Sequence, residues 1–100
     1  MTLNVNPGTV GLSAATEVGI ATQLAATSAG TSEPLLVNMP MALDADSLAF
    51  AEALTGAGAA YSGVKAEHIA ERGIYAASQA SAAAAYEASE AARAIENTLA

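Results

Sequence analysis

The chain has no cysteine and no tryptophan, one phenylalanine, three prolines and three cations in one hundred residues. Each shortage closes a class of function. Without cysteine there is no disulfide scaffold, no thiolate nucleophile and no thiolate metal ligand, and redox compartment cannot be read. Lys65, Arg72 and Arg93 stand against ten acids, for a net charge of −7. Such a chain cannot neutralise a phosphate backbone, so nucleic-acid binding is not expected. Binding to an anionic membrane surface is disfavoured for the same reason. No apolar run approaches the roughly 18 residues of a membrane span. The first cation is Lys65, so the N-terminus has no basic n-region, and it has no apolar run of secretory type. The expectation is a chain that stays in the cytoplasm or leaves by a route without an N-terminal signal.

Large side chains are scarce too. The hydrophobic fraction is 53%, but alanine supplies most of it. A short chain buries a modest share of its surface, and burial yields about 25 cal/mol per Å² of apolar area. Alanine brings little area, so a stable lone monomer is not expected.

What the sequence does contain is helix. In "LNVNPGTVGLSAATEVGIATQLAATSAG", an extended arm reaches Asn6, a good N-cap, and Pro7 occupies the first helical position, where its missing N–H does no harm. At about 100° per residue, Val10, Ala14, Val18, Ile20, Ala21, Leu24 and Ala25 form one stripe, with Thr16, Gly19, Thr22, Gln23, Ala26 and Thr27 opposite. Leu12 falls on the wrong side and Glu17 sits awkwardly on the apolar one. Gly30 is suited to close this helix in a left-handed conformation, which gives helix one about residues 7–29. A connector over 30–43 contains Pro34 and Pro40, which forbid continuous helix. It is too apolar for a free linker, so Leu35, Leu36, Val37, Met39 and Met41 are expected to cap one end of the domain. Asp44 or Asp46 then caps helix two, about residues 44–97. Gly56, Gly58, Gly63 and Gly73 within it each cost up to about 1 kcal/mol relative to alanine and mark close contacts or a kink.

On the same angular count Phe50, Leu54, Ala57, Tyr61, Val64, His68, Tyr75 and Tyr86 share one face, and Glu52, Thr55, Ser62 and Glu87 lie opposite. Every aromatic residue and the single histidine fall on that line. Helix two would run roughly 75 Å against about 35 Å for helix one, so much of it lacks an intrachain partner. The expected fold is all-α: a two-helix antiparallel hairpin, one domain over 1–100, that completes a four-helix bundle with a partner chain. The partner interface is expected at Val10, Val18, Ile20, Leu24, Phe50, Leu54, Tyr61, Val64, His68 and Tyr75.

Catalytic chemistry finds little support. His68 and Glu71 could share a metal, but metal sites need three or four such ligands and there is no second histidine, so packing of His68 at an interface is the better reading. No nucleophile elbow and no phosphate-binding glycine loop is present, and neither enzymatic activity nor a cofactor is expected. The tyrosines at helical spacing read as a packing face with hydroxyls at its rim rather than a ligand pocket. Tyr86 and Glu90 in "YEASE" have an ordinary reading as helix decoration, with Glu90 pairing to Arg93. Yet Tyr61 is followed at +4 by Lys65 and Tyr75 by Gln79; only Tyr86 has an acid there. Tyr86 is also expected beyond the reach of helix one, without an intrachain surface, and so available to a receptor.

The opening "MTLNVNPG", the alanine-rich first helix and the connector residues Pro34, Pro40, Asp44 and Ser47 together resemble the mycobacterial PE family, as do "KAEHIAERG" and Tyr86-x-x-x-Glu90. These are small partners of PPE proteins exported by type VII (ESX) secretion. The resemblance spans essentially the whole chain, with one departure: the Pro-Glu pair that names the family is Pro7-Gly8 here. It implies a hairpin docked lengthwise on a PPE protein. The heterodimer would assemble in the cytoplasm and be exported folded to the cell surface or beyond. Tyr86 and Glu90 would form part of a C-terminal signal read by the secretion ATPase, and the secretion chaperone would act only indirectly, through the PPE partner. With ten residues after Glu90, no passenger domain is expected. An alternative, a self-associating secreted effector or structural protein similar to EspC-like proteins, shares the N-terminal arm and the terminal Tyr-x-x-x-acid motif.

Overall fold

Asn6 starts the first helix as its residue type predicts. The Thr9 amide donates to Asn6 Oδ1 at 3.2 Å, which satisfies one orphan donor of the first turn, and the Val10 amide donates to the Asn6 carbonyl at 3.2 Å as the first intrahelical bond. The computed structural model describes residues 3–99; of the opening motif, Met1 and Thr2 lie outside them. Two helices account for nearly all of these residues: α1, Pro7–Leu36, and α2, Ala45–Leu99. There is no strand among the described residues. The fold is all-helical, in keeping with a helical hairpin.

α1 does not end at Gly30. It continues to Leu36 with Pro34 inside its last turns, and no described glycine has positive φ. A proline at this point removes the bond from its own nitrogen to the Gly30 carbonyl and crowds that carbonyl; both residues are exposed to water. Side-chain hydroxyls also bond back onto the helix here: Thr27 to the Gln23 carbonyl at 2.9 Å, Ser28 to Leu24 at 2.9 Å, Thr31 to Thr27 at 3.0 Å. The Val37 amide reaches the Glu33 carbonyl at 2.9 Å and Asn38 Nδ2 the Leu35 carbonyl at 3.1 Å, which finishes the C-terminus. α2 opens on Asp44, whose carboxylate accepts from the Ser47 amide at 2.7 Å and the Ser47 hydroxyl at 3.1 Å. These bonds, the amide first, hold the Asp44 carboxyl below the usual aspartate range.

The chain divides into two compact units, one formed by the chain up to Ile20 with the chain from Arg72 on, the other by Ala21–Glu71. In the first, α1 and α2 run antiparallel. Ser13 and Gln79 pair at 3.0 Å, and Glu17 meets Arg72 at 2.8 Å. In the second they are again antiparallel, with Leu35 against Gly58 and Asn38 Nδ2 on Thr55 Oγ1 at 3.3 Å. A Cβ added to Gly58 would fall inside contact distance of the Leu35 carbonyl oxygen and 2.9 Å from its carbon. Of the four glycines of α2, only Gly58 marks a close helix contact; nothing lies within 4 Å of a Cβ at Gly56, Gly63 or Gly73.

Burial along α2 follows one rule. Apart from Ser47 and Ala82, its buried and half-buried residues are Ala51, Thr55, Gly58, Ser62, Lys65, Ile69, Arg72, Ala76, Gln79 and Ala83. The steps alternate four and three residues, the spacing of a two-helix seam. α1 keeps the same rhythm through Pro7, Val10, Ala14, Glu17, Ala21, Leu24, Ser28 and Leu35. Thr55 and Ser62 therefore lie on the inner face, contrary to the 100° count. Glu17 is explained in the same way: it sits on the seam because Arg72 does. The fully buried apolar residues among those described are Ala14, Ala51, Ala76 and Ala83. Small side chains let the backbones approach, and no large side chain is enclosed.

The connector is also not the cap that its composition predicts. Leu35 is half-buried, but Leu36, Val37, Met39, Met41 and Leu43 are exposed, the last two at 97%. With α1 extended to Leu36, only residues 37–44 remain to turn the chain, too few to fold their side chains back over the helix ends.

Candidate functional site

One step around α2 from the seam, the second unit carries a line at the same spacing, Phe50, Leu54, Ala57, Tyr61, Val64 and His68, and the first unit carries Tyr75 at the same sequence register. All seven are exposed, with Phe50 at 63%, Leu54 at 43%, Tyr61 at 55%, Val64 at 67% and Tyr75 at 55%. Apart from Ile69, the residues facing inward along this helix are small or polar, while most of the large apolar ones face out. Helix periodicity forces that arrangement once the alanine and glycine positions are committed to close approach, since c and g type positions cannot share a seam with a and d.

The ten expected interface residues separate accordingly. Phe50, Leu54, Tyr61, Val64, His68 and Tyr75 form the exposed line on α2, and Val18 is exposed on α1. Val10 and Leu24 are half-buried on the intrachain seam, with Ile20 half-buried beside it. Local contacts trim the aromatic line. Lys65 Nζ lies 5.8 Å from the centre of the Tyr61 ring, within cation–π range, and Gln79 Nε2 donates to the Tyr75 hydroxyl at 3.3 Å. Near Phe50 and Leu54 the surface opens into an apolar groove of about 600 Å³ that also takes in Val37, Met39 and Met41.

Tyr86 is not a member of the aromatic line. The seam steps Ala76, Gln79, Ala83 continue to Tyr86, Glu90 and Arg93 at the same intervals. Tyr86 is 38% exposed, less than Tyr61 or Tyr75. It also has an intrachain neighbour, contrary to expectation: Leu3, Val5, Tyr86, Ser89, Glu90 and Arg93 line one cleft of about 100 Å³. Arg93 Nη1 sits 3.0 Å from Glu90 Oε1, both side chains largely in water, so this pair contributes little to stability. Leu3 and Val5 were not legible as site residues. The available signal was Val5 itself, an apolar residue just before a helix cap, where such residues commonly pack back on the chain.

Among the described residues no group of three or more His, Asp or Glu side chains is arranged to hold a metal. No described helix is long and apolar enough to cross a membrane. No family profile, no curated protein and no solved structure matches the chain.

Proposed function

We propose that the protein is a non-enzymatic, PE-type subunit of a heterodimer exported by a type VII system, and that the line from Phe50 to Tyr75 is where its PPE-type partner packs. The observation that carries this reading is the inverted distribution of side chains: alanine inside, aromatic and branched residues outside along one face. Exposed apolar residues scattered singly need no explanation, but a continuous row does. The row keeps the seam spacing, so a partner helix pair could lie along it, and four helices would then enclose the large side chains. Tyr86 and Glu90 serve as the C-terminal signal read by the secretion ATPase. The support for that part is the resemblance of the motif and its surface position near the end of α2.

The test is expression of the chain alone and with a cognate PPE protein. Alone it aggregates or folds poorly; together the two purify as a soluble one-to-one complex. A stable monomer with a cooperative melt, or a discrete homo-oligomer by light scattering, would overturn the assignment. For the signal, Tyr86→Ala or Glu90→Ala abolishes secretion and leaves the complex intact; continued secretion of both variants returns the motif to ordinary helix.

A further inference from the structure

We propose that the N-terminal arm, through Leu3 and Val5, is part of the surface on which Tyr86 and Glu90 are recognised, so that the signal is assembled from both ends of the chain. This rests on the reading of Tyr86 and Glu90 as an export signal. Within the first unit the arm and the motif line the same cleft. Where the arm leaves α1 is set by the Asn6 cap, so its approach to α2 is not arbitrary. Val5 is half-buried although it belongs to no helix. Tyr86 is the most covered of the three tyrosines, yet keeps part of its surface in water.

The physical role of the arm is pre-organisation. A tyrosine alone on a helix in water exchanges among rotamers, and a receptor must then order it on binding. Apolar side chains that share its cleft narrow that choice beforehand, and the saving in ordering appears as affinity. Leu3 and Val5 are thus positioning residues, whereas Tyr86 and Glu90 are the groups touched. The receptor surface that fits is an apolar pocket for the ring with a hydrogen-bond donor for the carboxylate.

The absence of native cysteine makes a direct test clean. Val5→Cys with Ser89→Cys, in the full chain purified with its partner, gives an intrachain product with a short bis-maleimide. Val5→Cys with Ser81→Cys does not. In secreting cells, Leu3→Ser with Val5→Ser lowers the secreted-to-cellular ratio several-fold while partner co-purification and helicity are unchanged. Val5→Ile recovers export relative to Val5→Ser, which separates apolar packing from any other effect of the arm. Normal export of the Leu3, Val5 double variant, with Tyr86→Ala blocked, overturns this proposal and leaves the export motif standing. Normal export of Tyr86→Ala overturns both, and does so at the motif. Failure of the Val5, Ser89 pair to cross-link overturns the arm contact on which the proposal stands.

Discussion

At Gly58 the missing side chain is a structural requirement, because a Cβ there would meet the Leu35 backbone. Gly58→Ala therefore costs about 1–3 kcal/mol by overpacking, more than the gain of up to about 1 kcal/mol that alanine brings to a helix. At Gly63 the space is open, so Gly63→Ala stabilises, by up to about 1 kcal/mol. Thermal melts of the two variants should move in opposite directions. Asp44 carries a pH dependence of definite sign. Its folded-state carboxyl lies lower than its unfolded one, so its contribution is present above the ordinary aspartate range and is lost as pH falls through the depressed folded value. Asp44→Asn keeps an acceptor for the Ser47 amide but removes this titration. The acid limb of the melting temperature should then flatten relative to wild type.

For the helices, both starts were legible because each rests on a local side-chain bond, Asn6 to Thr9 and Asp44 to Ser47. The end of α1 was not: Gly30 and Pro34 are breakers by type, but both are exposed to water, which can take up the carbonyl that Pro34 leaves without a donor. The two faces of α2 were confused for a numerical reason. A 3.6-residue count drifts by about 20° per heptad from a seam that repeats every 3.5 residues. Tyr86 stands thirty-six residues after Phe50, so it returns to the angle of Phe50 on the straight-helix count yet lies on the seam of Ala51 and Ala83. Thr55 and Ser62 were sent outward for a different reason: the apolar line was taken as the inner face, whereas the seam lies one step around the helix from it. Within the Phe50 to Tyr75 line the members are close enough together for the drift to stay small. The polar pair of the seam makes its own prediction. Replacing Arg72 alone by Leu weakens the first unit, because Glu17 loses a charged partner 2.8 Å away. Replacing Glu17 and Arg72 together by Leu leaves stability equal or higher. Melts of the single and double variants form the cycle that checks it.

For the whole molecule, the exposed row gives a discriminating pair of substitutions. Leu54 and Tyr61 are exposed, so on the proposed reading Leu54→Asp or Tyr61→Asp leaves far-UV helicity unchanged while it puts an unpaired charge into the proposed partner interface and breaks the proposed complex. Retention of partner by both variants would locate the interface elsewhere. The alanine seam bears on thermodynamics as well. Denaturant sensitivity and the heat capacity of unfolding both scale with the surface newly exposed, and enclosed alanines expose little. Whatever helix the free chain retains should therefore melt over a broad denaturant range with a small heat-capacity step. The proposed complex, if it encloses Phe50, Tyr61 and their neighbours, should unfold sharply, at a temperature that rises with protein concentration because folding and association are then one equilibrium.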